Sequence, residues 1–329
     1  MNRQYSVIIP FRGSLAILEK VLNSLEYTGY PDKEIILVND GTDYDFTPLL
    51  KKYRYSLINL SNRCGPSFAR NAGAKAANFE YLVFLDSDVI VSIDCFVKIN
   101  DFLKENPSVS VINCLVSTHS PHDGFFSQYA NILFRYDILK KGHYSLFTSF
   151  CVISSKSFWD VGGFDQSVRL PYADDNVLGW KLYNKRYKFA LIEGIEVVHY
   201  KEVSFKKFLL SCSLHGFFYA KFRTIYRKRL NIYRIGFKNG GILFLPVLLF
   251  SFALTYYKIF SIPIIALIFS AIFFGIHAGF FYFLLKAKKC LFAFKSMGIL
   301  FFQYIVYSIS AVAGIASGFF WKDKILRET

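Results

Sequence analysis

The chain predicts an α/β domain on a mostly parallel, doubly wound sheet, followed by interfacial helices and a C-terminal transmembrane helical region. Three observations carry that expectation. Short apolar runs alternate with helical patterns through the first 90 residues, the pattern of strands joined by crossover helices. Polar clusters stand at the carboxyl ends of those runs: Pro10-Phe11-Arg12, Asn39-Asp40-Gly41 and Asp86-Ser87-Asp88. Beyond residue 240 the composition turns to Phe, Ile, Leu and Ala.

In chain order, residues 5–10 read as a buried strand and 15–25 as an amphipathic helix. Residues 34–38 read as a second strand, 46–53 as a short helix and 56–60 as a third strand. A helix with proline in its first turn follows over 66–77, then a fourth strand over 81–85. The next stretch is more mixed: a helix over 95–105, strands over 109–116 and 147–154, and a turn at Gly162-Gly163-Phe164-Asp165. A helix over 174–185 and strands over 189–192 and 196–199 complete a first unit of residues 1–200.

Charge is divided as sharply as hydropathy. Residues 1–200 carry 21 basic and 21 acidic side chains, whereas 201–240 carry 10 basic residues against Glu202 alone. This second segment mixes its cations with Phe205, Phe208, Phe217, Phe218 and Phe222, a pairing that suits helices lying on anionic lipid. It points to a membrane surface and away from nucleic acid. In 241–329 three apolar stretches follow, 242–257, 261–285 and 297–321. A spanning helix needs about 20 residues, so three helices are expected, with the lysines after residue 285 on the cytoplasmic side. The six cysteines show no CxxC spacing and fit a reducing compartment. No signal peptide is read before the first strand, so residues 1–200 are expected in the cytoplasm, on a multi-pass cell-membrane protein.

Asp86 and Asp88 emerge from a rigid apolar strand into the crevice where such sheets bind ligands. Two carboxylates spaced i, i+2 can meet one hard, hydrated cation such as Mg²⁺ or Mn²⁺ and leave positions for diphosphate oxygens. Asp174 and Asp175 open a helix; acids there favour the helix dipole, and they also supply a carboxylate able to take a proton.

Val7-Ile8-Ile9-Pro10, Leu37-Val38-Asn39-Asp40-Gly41-Thr42, Gly65-Pro66-Ser67-Phe68-Ala69-Arg70-Asn71-Ala72-Gly73 and Phe84-Leu85-Asp86-Ser87-Asp88 resemble the successive signatures of family 2 glycosyltransferases. Gly162-Gly163-Phe164-Asp165 and the run Ala173 to Leu182 resemble the later part of that pattern. The resemblance covers residues 4–200 and implies a GT-A fold and an inverting transfer. It further implies that Asp40, with Pro10, Arg12 and Asn39, lines the nucleotide pocket, and that Arg70 faces the nucleotide or its diphosphate. Asp86 would meet the nucleotide-sugar, and Asp86, Asp88 and His199 would hold the metal. Asp175 aligns with the general base; the neighbouring Asp174 would raise its proton affinity by like-charge repulsion. Asn39 departs from the commoner aspartate. The family's processive synthases carry Gln-x-x-Arg-Trp where this chain reads Ser211-Cys212-Ser213-Leu214-His215-Gly216. The expected reaction is therefore transfer of one sugar from a nucleotide-diphosphate sugar to a lipid-linked, polyprenyl acceptor. Transfer to polyprenyl phosphate itself, and a non-catalytic sugar-nucleotide-binding scaffold, are the alternatives.

Overall fold

The computed structural model describes residues 3–168, 173–226 and 270–325. The chain forms two compact units, Met1–Glu202 and Val203–Thr329.

Apolar, β-branched runs build the strands of the first unit, and amphipathic stretches cover them. Its first half runs β1 (Tyr5–Phe11), α1 (Leu15–Tyr27), β2 (Lys33–Asp40), α2 (Thr47–Lys52), β3 (Ser56–Leu60), α3 (Pro66–Ala76), β4 (Tyr81–Leu85) and β5 (Val89–Ile90). Its second half runs α4 (Cys95–Glu105), β6 (Val109–Val116), α5 (Phe125–Lys141), β7 (Phe150–Ser154), α6 (Ser155–Asp160), α7 (Asp174–Asn184) and β8 (Lys188–His199). The eight strands form one sheet in the order β3-β2-β1-β4-β7-β6-β8-β5.

Strands β3, β2, β1 and β4 are parallel neighbours, and β6 runs parallel to β8. Between these blocks β7 is antiparallel to both β4 and β6, so the sheet is mixed. A short, wholly apolar strand has the same hydropathy in either direction, and its sequence carries no sign of that reversal. The residues read as two strands, 189–192 and 196–199, form one twelve-residue strand with a register shift opposite Cys114 and Leu115. Helix α5 was not expected from its sequence, because its apolar residues surround it and leave no single stripe.

Alternate residues of β1 face opposite layers. Tyr5, Val7, Ile9 and Phe11 pack with α1 and α4, while Ile8 packs with Phe84, Phe158 and the α7 leucines Leu178 and Leu182. Helix α3 lies so close to the sheet that a methyl group at Gly73 would overlap the Ile8 side chain and stand 3.1 Å from Val38 Cγ2. Gly73→Ala is therefore expected to destabilise this unit by about 1–3 kcal/mol, the usual cost of overpacking. Urea unfolding checks this; an unchanged midpoint would mean that α3 shifts freely.

The second unit holds α8 (Phe205–Tyr226) and a long C-terminal helix, Cys290–Ile325. Their backbones approach closely at glycines: a Cβ at Gly216 would lie 2.7 Å from the Tyr307 carbonyl oxygen, and one at Gly318 would lie 2.8 Å from that of Lys221. Among the described residues one helix, Cys290–Phe320, is long and apolar enough to cross a membrane, with a mean hydropathy of 1.8. The helices Ser270–Ile276 and Ala278–Ala287 are bent by 67° and make a second candidate only as one broken span. The expected first apolar stretch, 242–257, the start of the second, 261–269, and the basic residues 227–240 lie outside the described residues.

Candidate active site

The side chains singled out in the sequence of the first unit lie at the carboxyl ends of β1, β2, β4 and β8, at the start of α7 and within α3. At the end of β2, the Asn39 amide is fully engaged. Its Nδ2 donates to the Thr42 carbonyl (2.8 Å) and to Asn59 Oδ1 (3.0 Å), while its Oδ1 accepts from Thr42 N (3.0 Å) and Thr42 Oγ1 (2.6 Å). Asp40 is buried, and its carboxylate accepts from the backbone N–H groups of Cys64 (2.6 Å) and Gly65 (3.1 Å). Arg12 Nη1 donates to the Asp40 carbonyl at 2.9 Å, and Pro10 is half-buried beside it at the end of β1. Gly41, at φ +66°, touches this loop directly: a Cβ there would lie 2.5 Å from Arg63 N. Four of the expected nucleotide-pocket residues, Pro10, Arg12, Asn39 and Asp40, thus share one corner.

At the end of β4 the chain turns through Asp86-Ser87-Asp88 into β5. The turn is pinned on both sides: Asp86 N donates to the Ser149 carbonyl (3.1 Å), and Tyr200 N donates to the Asp88 carbonyl (2.7 Å). Because β5 pairs with the end of β8, with Val89 opposite His199, the His199 imidazole stands against Asp88, Nε2 to Oδ1 at 3.3 Å. One ligand atom from each of Asp86, Asp88 and His199 lies within 4.8 Å of the others. Burial works to raise the Asp88 carboxyl, but His199, with Lys201, outweighs it and holds the group below its ordinary value.

Arg70 lies on α3 and is buried at 4% exposure. Its Nη2 donates to Asp86 Oδ1 at 2.7 Å, and its Nη1 donates to Asp174 Oδ2. Its guanidinium also stands over the Phe164 ring, 5.4 Å from the centroid. Both terminal nitrogens of Arg70, the side chain expected to face the nucleotide or its diphosphate, are thus turned to carboxylates. Asp174 is buried, and burial pushes its carboxyl up to about 6 against the pull of Arg70, with Asp175 and Asp86 adding to the rise. Asp175, one residue on, is half-buried, and its Oδ1 accepts from Asn176 N at 2.7 Å and Asn176 Nδ2 at 2.6 Å.

These residues fit a divalent cation. Asp86 and Asp88 offer hard carboxylate oxygens, and His199 adds an imidazole nitrogen. Arg70 takes only Oδ1 of Asp86 and leaves Oδ2. A shallow depression of about 440 Å³ lined by Asn71, Lys75, Trp159, Phe164, Asp165 and Lys181 shares α3 and α7 with this site but holds none of its carboxylates.

Sequence reasoning did not pair Arg70 with Asp174. The two are 104 residues apart, and no local pattern announces such a pairing.

Known proteins share the fold, and a family model matches the first unit. A mannosyltransferase from Pyrobaculum calidifontis, solved with GDP-Man and Mn²⁺, superposes with a TM-score of 0.64 at 16% identity, over 96% of this chain and 88% of that one. The fold is therefore that of GT-A glycosyltransferases. Residues 6–162 match the family model described as glycosyl transferase family 2, and the N-terminal unit belongs to that family. The poly-beta-1,6-N-acetyl-D-glucosamine synthase of Staphylococcus epidermidis is 29% identical over 181 residues, 50% of this chain and 42% of that protein. An uncharacterized glycosyltransferase of Bacillus subtilis, EpsJ, is 33% identical over 114 residues, 33% of each chain. The chain thus matches about two-fifths, or less, of the length of these curated relatives.

Proposed function

We propose that this chain is a metal-dependent, inverting transferase that moves one sugar from a nucleotide-diphosphate sugar to a lipid-linked acceptor in cell-surface polysaccharide or glycolipid assembly. The observation that carries this reading is the Asp86, Asp88 and His199 cluster standing, through Arg70, beside the Asp174–Asp175 pair. The Staphylococcus synthase by its name, and the Pyrobaculum enzyme by its GDP-Man and Mn²⁺, support a nucleotide-sugar donor, a divalent cation and a saccharide product. The apolar helix Cys290–Phe320 supports attachment to a membrane and an acceptor presented there.

Asp86, Asp88 and His199 would hold the ion, which when bound neutralises charge building on the departing diphosphate. Pro10, Arg12 and the turn held by Asp40 form the seat for the nucleoside. Asp175 accepts the proton of the attacking acceptor hydroxyl, on the face opposite the leaving group. Asp174, tied to Arg70, fixes the first turn of α7 from which Asp175 projects.

Thermal unfolding of the full chain with UDP-, GDP- and dTDP-sugars tests this. One donor at about 100 times its Kd is expected to stabilise the protein by about 2.7 kcal/mol, with Mn²⁺ required and chelator reversing the shift. Asp88→Ala is expected to abolish the Mn²⁺-dependent part. If no nucleotide-sugar shifts the transition with Mn²⁺ present, the reading fails.

A further inference from the structure

We propose that Arg70 is a positioning residue that fixes the distance between the metal-side carboxylate Asp86 and the base-carrying start of α7, and does not itself bind the donor. The inference rests on the glycosyltransferase reading above and assigns a role within it. Guanidinium is a rigid planar fork, so one side chain that bonds Asp86 through Nη2 and Asp174 through Nη1 sets the separation of the two acids. A flexible ammonium has no such second arm.

The platform under Arg70 is itself stapled down. From the same helix, Asn71 Nδ2 donates to the Phe164 carbonyl (2.8 Å) and Phe164 N donates to Asn71 Oδ1 (3.0 Å). Ser67 Oγ donates to the Val168 carbonyl at 2.8 Å. Helix α3 therefore holds Phe164 and Val168 as well as Asp174, the first residue of α7. Two further facts argue that geometry is what Arg70 supplies. It is buried together with Asp174, where ion pairs add little net stability. Its Nε is buried and makes no hydrogen bond, a cost retained for the sake of the other two arms.

Asp175 follows Asp174 directly, so slack in the Arg70–Asp174 tie moves the base relative to the ion. A misplacement of about 1 Å can cost on the order of 10²-fold in rate. The signature is a fall in kcat with little change in donor KM.

The test is steady-state transfer by the full chain at saturating Mn²⁺, with Arg70→Lys, Arg70→Gln, Asp174→Asn and the Arg70→Gln/Asp174→Asn double variant. Arg70→Lys keeps the charge, and is expected to lose about 10²-fold in kcat while donor KM stays within about 3-fold. The double variant is expected to be no slower than its slower parent, because both changes cut the same tie. Should Arg70→Gln fail to fold, Arg70→Lys and Asp174→Asn still decide the matter, since the proposal requires both to lose kcat at near-constant KM. A loss confined to donor KM, losses that multiply in the double variant, or wild-type kcat in Arg70→Lys would each overturn it. Wild-type protein that transfers no sugar from any donor would instead remove the glycosyltransferase reading on which it stands.

Discussion

Asp175→Asn is expected to lower turnover by about 10²- to 10⁴-fold, the usual worth of a positioned general base, while donor binding with Mn²⁺ stays close to wild type. The substitution keeps the shape of the side chain, so the Oδ1 that accepts from Asn176 N and Nδ2 has a carbonyl counterpart. What disappears is the capacity to accept the acceptor's proton. Asp174→Asn provides the contrast. Asp174 is turned into the protein against Arg70, and its loss acts through position alone. Transfer kinetics of the two variants alongside calorimetric donor binding separate these roles. Wild-type turnover in Asp175→Asn would take the base assignment away.

Asp40→Ala is expected to destabilise the first unit and to weaken nucleotide binding together. The buried Asp40 carboxylate receives the N–H groups of Cys64 and Gly65 at the entrance to α3, and hydrogen bonds to a charged group are worth about 1.5–3 kcal/mol. A loss of about 2–3 kcal/mol corresponds to a fall in Tm of roughly 4–12 °C for a unit of this size. Asp40→Asn keeps an acceptor and should recover part of it. Thermal unfolding without ligand, then with nucleotide, distinguishes an anchor from a direct contact. If only the liganded midpoint moved, Asp40 would act on the nucleotide alone.

Much of this molecule is legible in its residues, and the parts that are not have physical reasons. The strands Ser56–Leu60, Tyr81–Leu85 and Val109–Val116 and the helix Cys95–Glu105 were expected with these bounds, because each ends at polar or proline turn residues: Ser61-Asn62, Asp86, Ser117-Thr118 and Asn106-Pro107. The Asp86-Ser87-Asp88 turn was legible for the same reason: it ends a buried strand, where carboxylates need a purpose. Hidden from the sequence were the reversal of β7, the all-round apolar α5, and every partner of Arg70. These depend on pairing between distant segments, and local periodicity is blind to that. Arg70, expected to face the nucleotide or its diphosphate, bonds Asp86 and Asp174. His199 was visible only as a histidine near a strand end; the β5–β8 pairing brings it to Asp88.

The amide at Asn39 bears on how this site could have changed over time. Its nitrogen donates to two oxygens, those of Thr42 and Asn59, and its oxygen accepts twice from Thr42. A carboxylate in its place would set a negative oxygen against the Thr42 carbonyl with no hydrogen to share, and would force the Asn59 amide to turn its nitrogen toward it. An aspartate at position 39 would therefore harm this protein unless the Thr42 carbonyl moved away and the Asn59 amide turned its nitrogen inward. Asn39 and Asn59, on neighbouring strands, are thus coupled: which end of one amide faces inward decides what the other can be.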